Sequence, residues 1–135
     1  MLPDHVSLLS AALTEPLACG VHSSIEKGNV QKGDVVCVFG AGAIGQMVAQ
    51  VCKSQGATVI VAGLTADAER FAVALANGAD RAVDQAKEDL SAIIRDMTNG
   101  EGVDIALECS GVVPAANKTL RPQRDPHPSG KPLPH

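Results

Sequence analysis

The stretch VFGAGAIGQM, residues 38–47, constrains the fold of this chain more than any other part of its sequence. Its three glycines, Gly40, Gly42 and Gly45, follow the apolar run Val35–Phe39 and precede apolar residues at helical spacing. A buried strand, a glycine turn and an amphipathic helix in this order begin a βαβ unit. In that context the pattern G-x-G-x-x-G predicts a turn that binds the pyrophosphate of a dinucleotide.

Each glycine of this turn has a separate predicted role. Gly40 lets the chain turn sharply off the strand, Gly42 lets the backbone approach the pyrophosphate, and Gly45 lets the helix pack closely on the strand. The helix that begins near Ala43 points free N–H groups and its positive dipole end at the phosphates, so Ala43 and Ile44 join the predicted site. A tight strand-to-helix turn without a ligand is the alternative interpretation.

Strand-like and helix-like segments alternate along the middle of the chain. Short apolar runs predict strands, and apolar stripes between them predict helices that end near Gly56, Gly78 and Gly100. Because crossovers between parallel strands are right-handed, this order predicts an α/β fold with a Rossmann-like, doubly wound parallel sheet. The sheet is predicted to be truncated at about four strands, in the order 3-2-1-4. The predicted strands are Val35–Phe39, Val59–Ala62, Arg81–Val83 and Val103–Leu107. The residues predicted to face inward from the helices include Ile44, Val48, Cys52, Phe71, Ala74, Leu75, Leu90, Ile94 and Met97.

The two ends of the chain differ from this middle part. Residues 1–32 contain apolar, helix-like segments, which we interpret as an inter-domain helical segment. Residues 33–118 form the predicted dinucleotide-binding domain, which we expect to be incomplete. The tail 119–135, TLRPQRDPHPSGKPLPH, contains five of the eight prolines and few apolar residues, so we expect it to be disordered.

Composition argues against several classes of partner. The chain has no Trp or Tyr, only two Phe and a net charge of −4, which disfavours modules that stack bases on aromatic rings or bind phosphate backbones. No apolar run reaches membrane-spanning length and no signal-like segment is present, so we expect a cytoplasmic protein without nucleic-acid or membrane partners. The four cysteines form no C-x-x-C pair, and Cys37 and Cys52 are predicted to be buried thiols.

A dinucleotide site also predicts a particular residue type at the end of the second strand. An acidic residue is expected there to bind the ribose 2′-hydroxyl, but the position holds Gly63. An acid repels a 2′-phosphate and a glycine does not, so the choice between NAD and NADP stays open. Thr65 and Asp67 are predicted caps of the following helix, while Arg70 either faces the adenosine end or is a solvated helix residue.

The glycine turn is one of five segments that form a recognisable combination. They are LPDHVS, AALTEPLACGVHS, the GD-strand-GAGAIG unit, NGAD at 77–80 and VDIALECSG at 103–111. From about Leu2 to Leu120 the chain resembles the medium-chain, zinc-dependent alcohol and polyol dehydrogenases, especially the sorbitol and threonine dehydrogenase branch. The resemblance implies a NAD(P)-binding domain in which Ser110 also contacts the cofactor. It further implies an oxidoreductase acting on CH–OH groups, in which zinc polarises the alcohol oxygen while a hydride passes to nicotinamide.

The resemblance also indicates what we expect this chain to lack. The catalytic domain with its Cys, His and Glu zinc ligands, and the second half of the cofactor domain, have no counterpart in the sequence. Glu15 resembles the Glu-Pro glutamate near the catalytic zinc of polyol dehydrogenases, but a catalytic zinc needs three protein ligands. His5 and His22 are not spaced to complete such a site. We therefore expect no zinc on this chain alone, and the alternative for Glu15 is an ordinary helix-end residue before a proline.

The sequence leaves three functional hypotheses. The first is the NAD(P)-binding portion of a zinc-type alcohol or polyol dehydrogenase, inactive as this isolated chain. The second is a non-catalytic interaction or dimerisation module, in which the exposed edge of the fourth strand recruits a second copy or a longer relative. The third is an unstable product of a truncated reading frame, suggested by the change of composition near Arg121.

Overall fold

The computed structural model of the chain describes residues 3–111. Within this range, strands and helices alternate from the glycine turn onward. The strands are β1 (Val35–Phe39), β2 (Thr58–Gly63), β3 (Arg81–Asp84) and β4 (Ile105–Glu108). The helices are α1 (Leu8–Ala11), α2 (Thr14–Val21), α3 (Ala43–Ser54), α4 (Ala68–Ala76) and α5 (Leu90–Met97), with a π-helical turn at His22–Lys27 and a 3-10 turn at Thr65–Asp67.

The four strands form one parallel sheet in the order β3-β2-β1-β4. In register, Cys37 of β1 lies between Ile60 of β2 and Ala106 of β4. The predicted α/β class, the parallel sheet and the strand order are therefore confirmed. The chain leaves β1 towards β2 and returns on the other side of β1 as β4, so the direction of winding reverses between β1 and β4. Such a reversal is where open α/β sheets bind their ligands.

Two separate cores lie on the two faces of the sheet, because successive side chains of a strand point to opposite faces. A strand that is buried on both faces has a continuous apolar sequence, which is why the pattern identified β1 and β2. One core combines these strands with α3 and α4, and its buried members include Val36, Val38, Val59, Val61, Val48, Cys52 and Ala74. The other combines them with β3 and α5, and its members include Cys37, Phe39, Ile60, Ala62, Val83, Leu90 and Ile94.

The N-terminal helices are attached to this body through α3. A Cβ at Gly20 of α2 would lie 3.1 Å from the backbone carbonyl carbon of Met47, so glycine permits a close contact between the two helices. Buried Ser24 accepts a hydrogen bond from the thiol of Cys52, with 3.3 Å between the two heavy atoms. The inter-domain role of this segment stays a prediction.

The helices bury narrower stripes than their sequence pattern predicts. Ile44, Leu75 and Met97 were expected to face the core, but their exposed fractions are 42%, 48% and 39%. The buried residues that pack against the sheet are Ala74 in α4 and Leu90 and Ile94 in α5. Leu75 is the residue after Ala74, and one residue along a helix rotates a side chain by about 100° away from that contact.

The fourth strand begins later than predicted. Val103 is buried, but regular pairing with β1 starts where Ile105 lies opposite Val36. Between them, Asp104 binds both backbone groups of Val35: its N–H donates to the carbonyl oxygen at 2.9 Å, and its carboxylate accepts from the N–H at 2.8 Å. The Asp104 carboxylate, and not a backbone carbonyl, accepts the Val35 N–H, so the regular pairing of β4 with β1 begins one residue later, at Ile105.

The remaining predictions concern the cysteines and the chain ends. All four cysteines are free, and the predicted burial of Cys37 and Cys52 is confirmed. Burial raises the pKa of the Cys37 thiol to about 12. Within residues 3–111, every helix is too short or too polar to cross a membrane. The predicted disordered tail, 119–135, and the last residues of the predicted domain lie outside the described residues.

Candidate dinucleotide-binding site

The candidate site lies at the carboxyl edge of the sheet. Because the strands are parallel, they all end at this edge, at Phe39, Gly63, Asp84 and Glu108. The glycine turn follows β1, the 3-10 turn follows β2, and Ser110 follows β4. The fold thereby brings together residues that are as much as 70 positions apart in the chain, from Gly40 to Ser110.

The first glycine of the turn is required by its backbone conformation and by its neighbours. Gly40 has a φ of +97°, in the left-handed region that favours glycine. Its N–H donates to the carbonyl oxygen of Ala62 at 2.7 Å, which links the turn to the end of β2. A Cβ at this position would lie 2.8 Å from the backbone nitrogen of Ser110. Gly40 therefore holds the turn between β2 and the segment that follows β4.

The second and third glycines have opposite surroundings. A Cβ at Gly45 would lie 1.9 Å from the carbonyl oxygen of Gly40, which is impossible without moving the backbone, so α3 packs directly on the turn. A Cβ at Gly42 would meet no described atom within 4 Å. Gly42 therefore faces open space, as expected of a residue that a ligand approaches closely.

Helix α3 begins at this open face with free backbone donors. Gly42 is its N-cap, and no side chain of the described residues caps the helix there. Both Ala43 and Ile44 are exposed. Uncapped N–H groups and the positive end of the helix dipole together favour an anion, such as the pyrophosphate of a dinucleotide. The exposure of Ile44, which contradicts a core role, agrees with its predicted place at this site.

Gln46 is a residue of the site that the sequence interpretation missed. Its side-chain amide donates to the carbonyl oxygen of Ala41 at 3.2 Å and to that of Arg70 at 2.9 Å, which ties the glycine turn to α4. Its Oε1 is the one buried side-chain oxygen or nitrogen in residues 3–111 that has no hydrogen-bond partner. Gln46 lies four residues after the N-cap, on the side of α3 that faces the turn, and this position is the sequence signal that could have identified it.

The predicted adenosine side of the candidate site is at the end of β2. Asp67 accepts a hydrogen bond from the backbone N–H of Leu64 at 3.1 Å and pairs with Arg70 at 2.8 Å. Neither Thr65 nor Asp67 caps α4 in the predicted way, because the Thr65 hydroxyl donates to Asp84 at 2.7 Å and Asp67 binds the preceding turn. Asp67 does occupy the N-cap position of α4, but the 3-10 turn directs its carboxylate back to the Leu64 N–H instead of to the N–H groups of the helix.

Asp84 ends β3 beside this group. The hydroxyl of Thr65 holds the pKa of the Asp84 carboxyl below its ordinary value, assisted by the backbone N–H of Ala86 and by Lys87. Lys87 lies 3.5 Å from the same carboxylate. The two carboxylates at the ends of β2 and β3, Asp67 and Asp84, therefore each have a basic side chain beside them.

The other side of the glycine turn is formed by the end of β4. Glu108 accepts hydrogen bonds from both the backbone N–H and the hydroxyl of Ser110. Both residues are exposed, and the Ser110 backbone contacts the turn at Gly40. The sequence interpretation named Ser110 but missed Glu108. Glu108 directly follows the predicted fourth strand, and that position could have identified it as a residue of the candidate site.

Glu15 does not share a site with the other candidate metal ligands. It is exposed in the first turn of α2, where the thiol of Cys19 donates to it at 3.4 Å, and this hydrogen bond raises the pKa of Cys19. His22 pairs instead with Glu26 at 2.8 Å. Residues 3–111 contain no group of three His, Cys, Asp or Glu side chains that fits a metal ion. The described residues therefore do not fit a catalytic zinc, which needs three protein ligands.

Comparisons with known proteins agree with this geometry. The family model "Zinc-binding dehydrogenase" matches residues 43–123. The chain is 45% identical over 120 residues to a D-arabitol-phosphate dehydrogenase of Enterococcus avium, a match that covers 89% of the chain and 34% of the relative. It is 48% identical over 119 residues to a sorbitol dehydrogenase of Halalkalibacterium halodurans, a match that covers 88% of the chain and 34% of that relative.

Solved structures give the same result. An oxidoreductase/dehydrogenase of unknown specificity from Escherichia coli superimposes with a TM-score of 0.80 and 33% identity, covering 87% of this chain and 33% of that one. Alcohol dehydrogenase TADH from Thermus sp. ATN1 superimposes with a TM-score of 0.79 and 27% identity, covering 91% and 35%. The chain thus spans about a third of the length of these relatives. By sequence and by fold, it belongs to the zinc-binding, medium-chain alcohol and polyol dehydrogenase family.

Proposed function

We propose that this chain binds NAD or NADP as the dinucleotide-binding portion of a zinc-type alcohol or polyol dehydrogenase. The observation that supports this most strongly is the pair of opposite environments within one turn. Gly45 is packed against the turn, while Gly42 and the uncapped N-terminus of α3 face open space. A turn that served only to connect a strand to a helix would not need to leave a glycine and free N–H groups exposed together.

Each predicted residue has a place in this proposal. Gly42, Ala43 and Ile44 receive the pyrophosphate, while Gly40 and Gly45 hold the turn in shape. Gly63 and Arg70 lie towards the adenosine, and Ser110 lies beside the turn at the end of β4. Bound nicotinamide would accept a hydride from a CH–OH carbon, and zinc in this family polarises the alcohol oxygen.

We further propose that the chain does not oxidise alcohols by itself. The described residues do not fit a three-ligand zinc site, and Glu15 alone is not sufficient. The names of the relatives indicate sorbitol and arabitol phosphate as substrates of those proteins, and we propose a polyol for the whole enzyme. We also propose a cytoplasmic location, where free thiols such as Cys37 stay reduced.

A thermal-shift titration of the purified chain with NAD and NADP tests the binding. Ligand at about 100 times its Kd should add about 2.7 kcal/mol to the free energy of unfolding and raise Tm. G42D should abolish the shift, because it places a carboxylate where the pyrophosphate is proposed to bind, and its Cβ would meet no described atom within 4 Å. A76D, at an exposed position at the far end of α4, adds the same charge and should keep the shift.

Two results would contradict the proposal. One is the absence of any Tm shift with either nucleotide in a chain that unfolds cooperatively. The other is turnover of sorbitol by the chain with zinc and NAD(P), which would contradict its proposed inactivity.

The exposed strand edge supports a second candidate function, association with another polypeptide. Within residues 3–111, β4 has a strand neighbour on one side only, and Ile105, Ala106 and Leu107 are only half-buried. An apolar strand edge recruits a partner strand. Light scattering after size exclusion should then give a mass above one chain that rises with concentration, whereas a constant monomer mass would contradict this function.

A further inference from the structure

The space beside the last residue of β2 is already filled. A Cβ at Gly63 would lie 2.8 Å from Oδ2 of Asp67 and 3.0 and 3.1 Å from two atoms of the Phe71 ring. Any larger residue at Gly63 would displace one of these side chains. Gly63 is therefore not simply a missing acid, because its absent side chain makes room for the carboxylate of Asp67.

The Asp67 carboxylate is held firmly in this place. Its Oδ2 accepts from the Leu64 N–H at 3.1 Å, and its Oδ1 accepts from the Arg70 guanidinium at 2.8 Å. The side chain is only 17% exposed. A carboxylate accepts about four hydrogen bonds in all, so each oxygen can accept one more from a ligand.

We propose that Asp67 replaces the strand-end acid, binds the ribose 2′-hydroxyl of the adenosine and makes the site select NAD over NADP. In dinucleotide folds this carboxylate comes from the end of the second strand. Here it comes from the turn that follows the strand, and it lies as close to Gly63 as the carboxylate of a residue at that position would. The inference rests on the proposed dinucleotide function.

The charges around Asp67 act against a 2′-phosphate. Such a phosphate would face the Asp67 carboxylate, and like charges at close range repel each other. Two cations are near the ends of β2 and β3, but Arg70 pairs with Asp67 and Lys87 pairs with Asp84. Both cations are therefore already paired with a carboxylate, which weakens their attraction for a phosphate.

Calorimetric titration of the full chain with adenosine half-molecules tests the inference directly. The probes are 5′-AMP and 2′,5′-ADP, followed by NAD and NADP. The wild-type chain should bind the probes without a 2′-phosphate at least about tenfold more tightly, the scale of one hydrogen bond to a charged group. D67N keeps the size of the side chain and removes its charge, and it should bring the two affinities within about threefold of each other.

E69Q is the matched control, because it removes one negative charge from the first turn of α4, where Glu69 is exposed and is not among the atoms nearest to a Cβ at Gly63. It should keep the wild-type ratio of affinities. Tighter binding of 2′,5′-ADP by the wild type, or an unchanged ratio in D67N, would overturn the inference while leaving dinucleotide binding intact. Failure of all four probes to bind a folded chain would instead overturn the proposed function, and the inference with it.

Discussion

The ends of β1 and β2 both lie beside the proposed dinucleotide, but they are built differently. At the end of β1, backbone packs against backbone: Gly45 lies against the carbonyl oxygen of Gly40, and Gly40 lies against Ser110. At the end of β2, side chains fill the space: the carboxylate of Asp67 and the ring of Phe71 surround Gly63. Moving packed backbone to admit a larger residue costs more free energy than moving the end of a side chain. The first region should therefore be intolerant of substitution, and the second should be adjustable.

The largest effect is expected from G45A, at the end of β1. The added Cβ would lie 1.9 Å from a backbone oxygen, so α3 or the turn must move. We expect a loss of about 3 kcal/mol or more in the free energy of unfolding, or no cooperative transition at all. Urea denaturation followed by circular dichroism measures it.

G42A is the control for this substitution, three residues earlier in the same turn. Its Cβ would meet no described atom within 4 Å, and its φ of −68° suits any residue. It should cost no more than about 1 kcal/mol, the scale of an exchange at an N-cap. Equal losses in the two variants would show that the turn is not divided into a packed and an open side.

A smaller effect is expected from G63A, at the end of β2. The new Cβ meets the terminal oxygen of Asp67 and the edge of Phe71, both of which can shift. We expect a loss of about 1 kcal/mol of stability, at the low end for an overpacked site. Because Asp67 is displaced, the ratio of NAD to NADP affinity should also fall. A loss as large as that of G45A would contradict the distinction between the two strand ends.

The smallest effect is expected at the end of β3, where the Thr65 hydroxyl binds Asp84. T65V removes the main cause of the lowered pKa, so the pKa of Asp84 should rise towards its ordinary value. A lowered pKa in the folded state stabilises the fold above the unfolded pKa, and this stabilisation is lost as the pH falls through the folded pKa. Carboxyl NMR titration of both proteins measures the change, and coincident titration curves would contradict it.

Much of the fold could be predicted because local patterns and global topology agree. Strands buried on both faces have continuous apolar sequences, so β1 and β2 were found within one or two residues. The strand order followed from the handedness of the crossovers. The errors occurred where a tertiary contact decided the outcome. Asp104 delayed the start of β4 by binding Val35, and the sheet contact of α4 excluded Leu75.

The candidate site, like the fold, could be predicted where it depends on residues that are adjacent in the chain. The glycine turn was identified because its residues are adjacent in the chain and each has a geometric reason. Gln46 was missed because its partner Arg70 lies 24 positions away in the chain, on another helix. Glu108 was missed although its partner Ser110 is only two positions away, because attention to the strand end went to the serine. Asp67 was seen only as a helix cap, because a residue four positions after a strand is not expected at the end of that strand.

The sequence by itself determined the α/β class, the parallel order of the strands, the glycine turn and the family to which the chain belongs. These depend on periodicity and on residues close together in the chain, both of which can be identified from the sequence. Only the tertiary structure decided which glycine of the turn is packed and which is open, and which carboxylate stands beside Gly63. Those outcomes depend on distances between atoms of different elements, and only the assembled sheet and helices determine such distances.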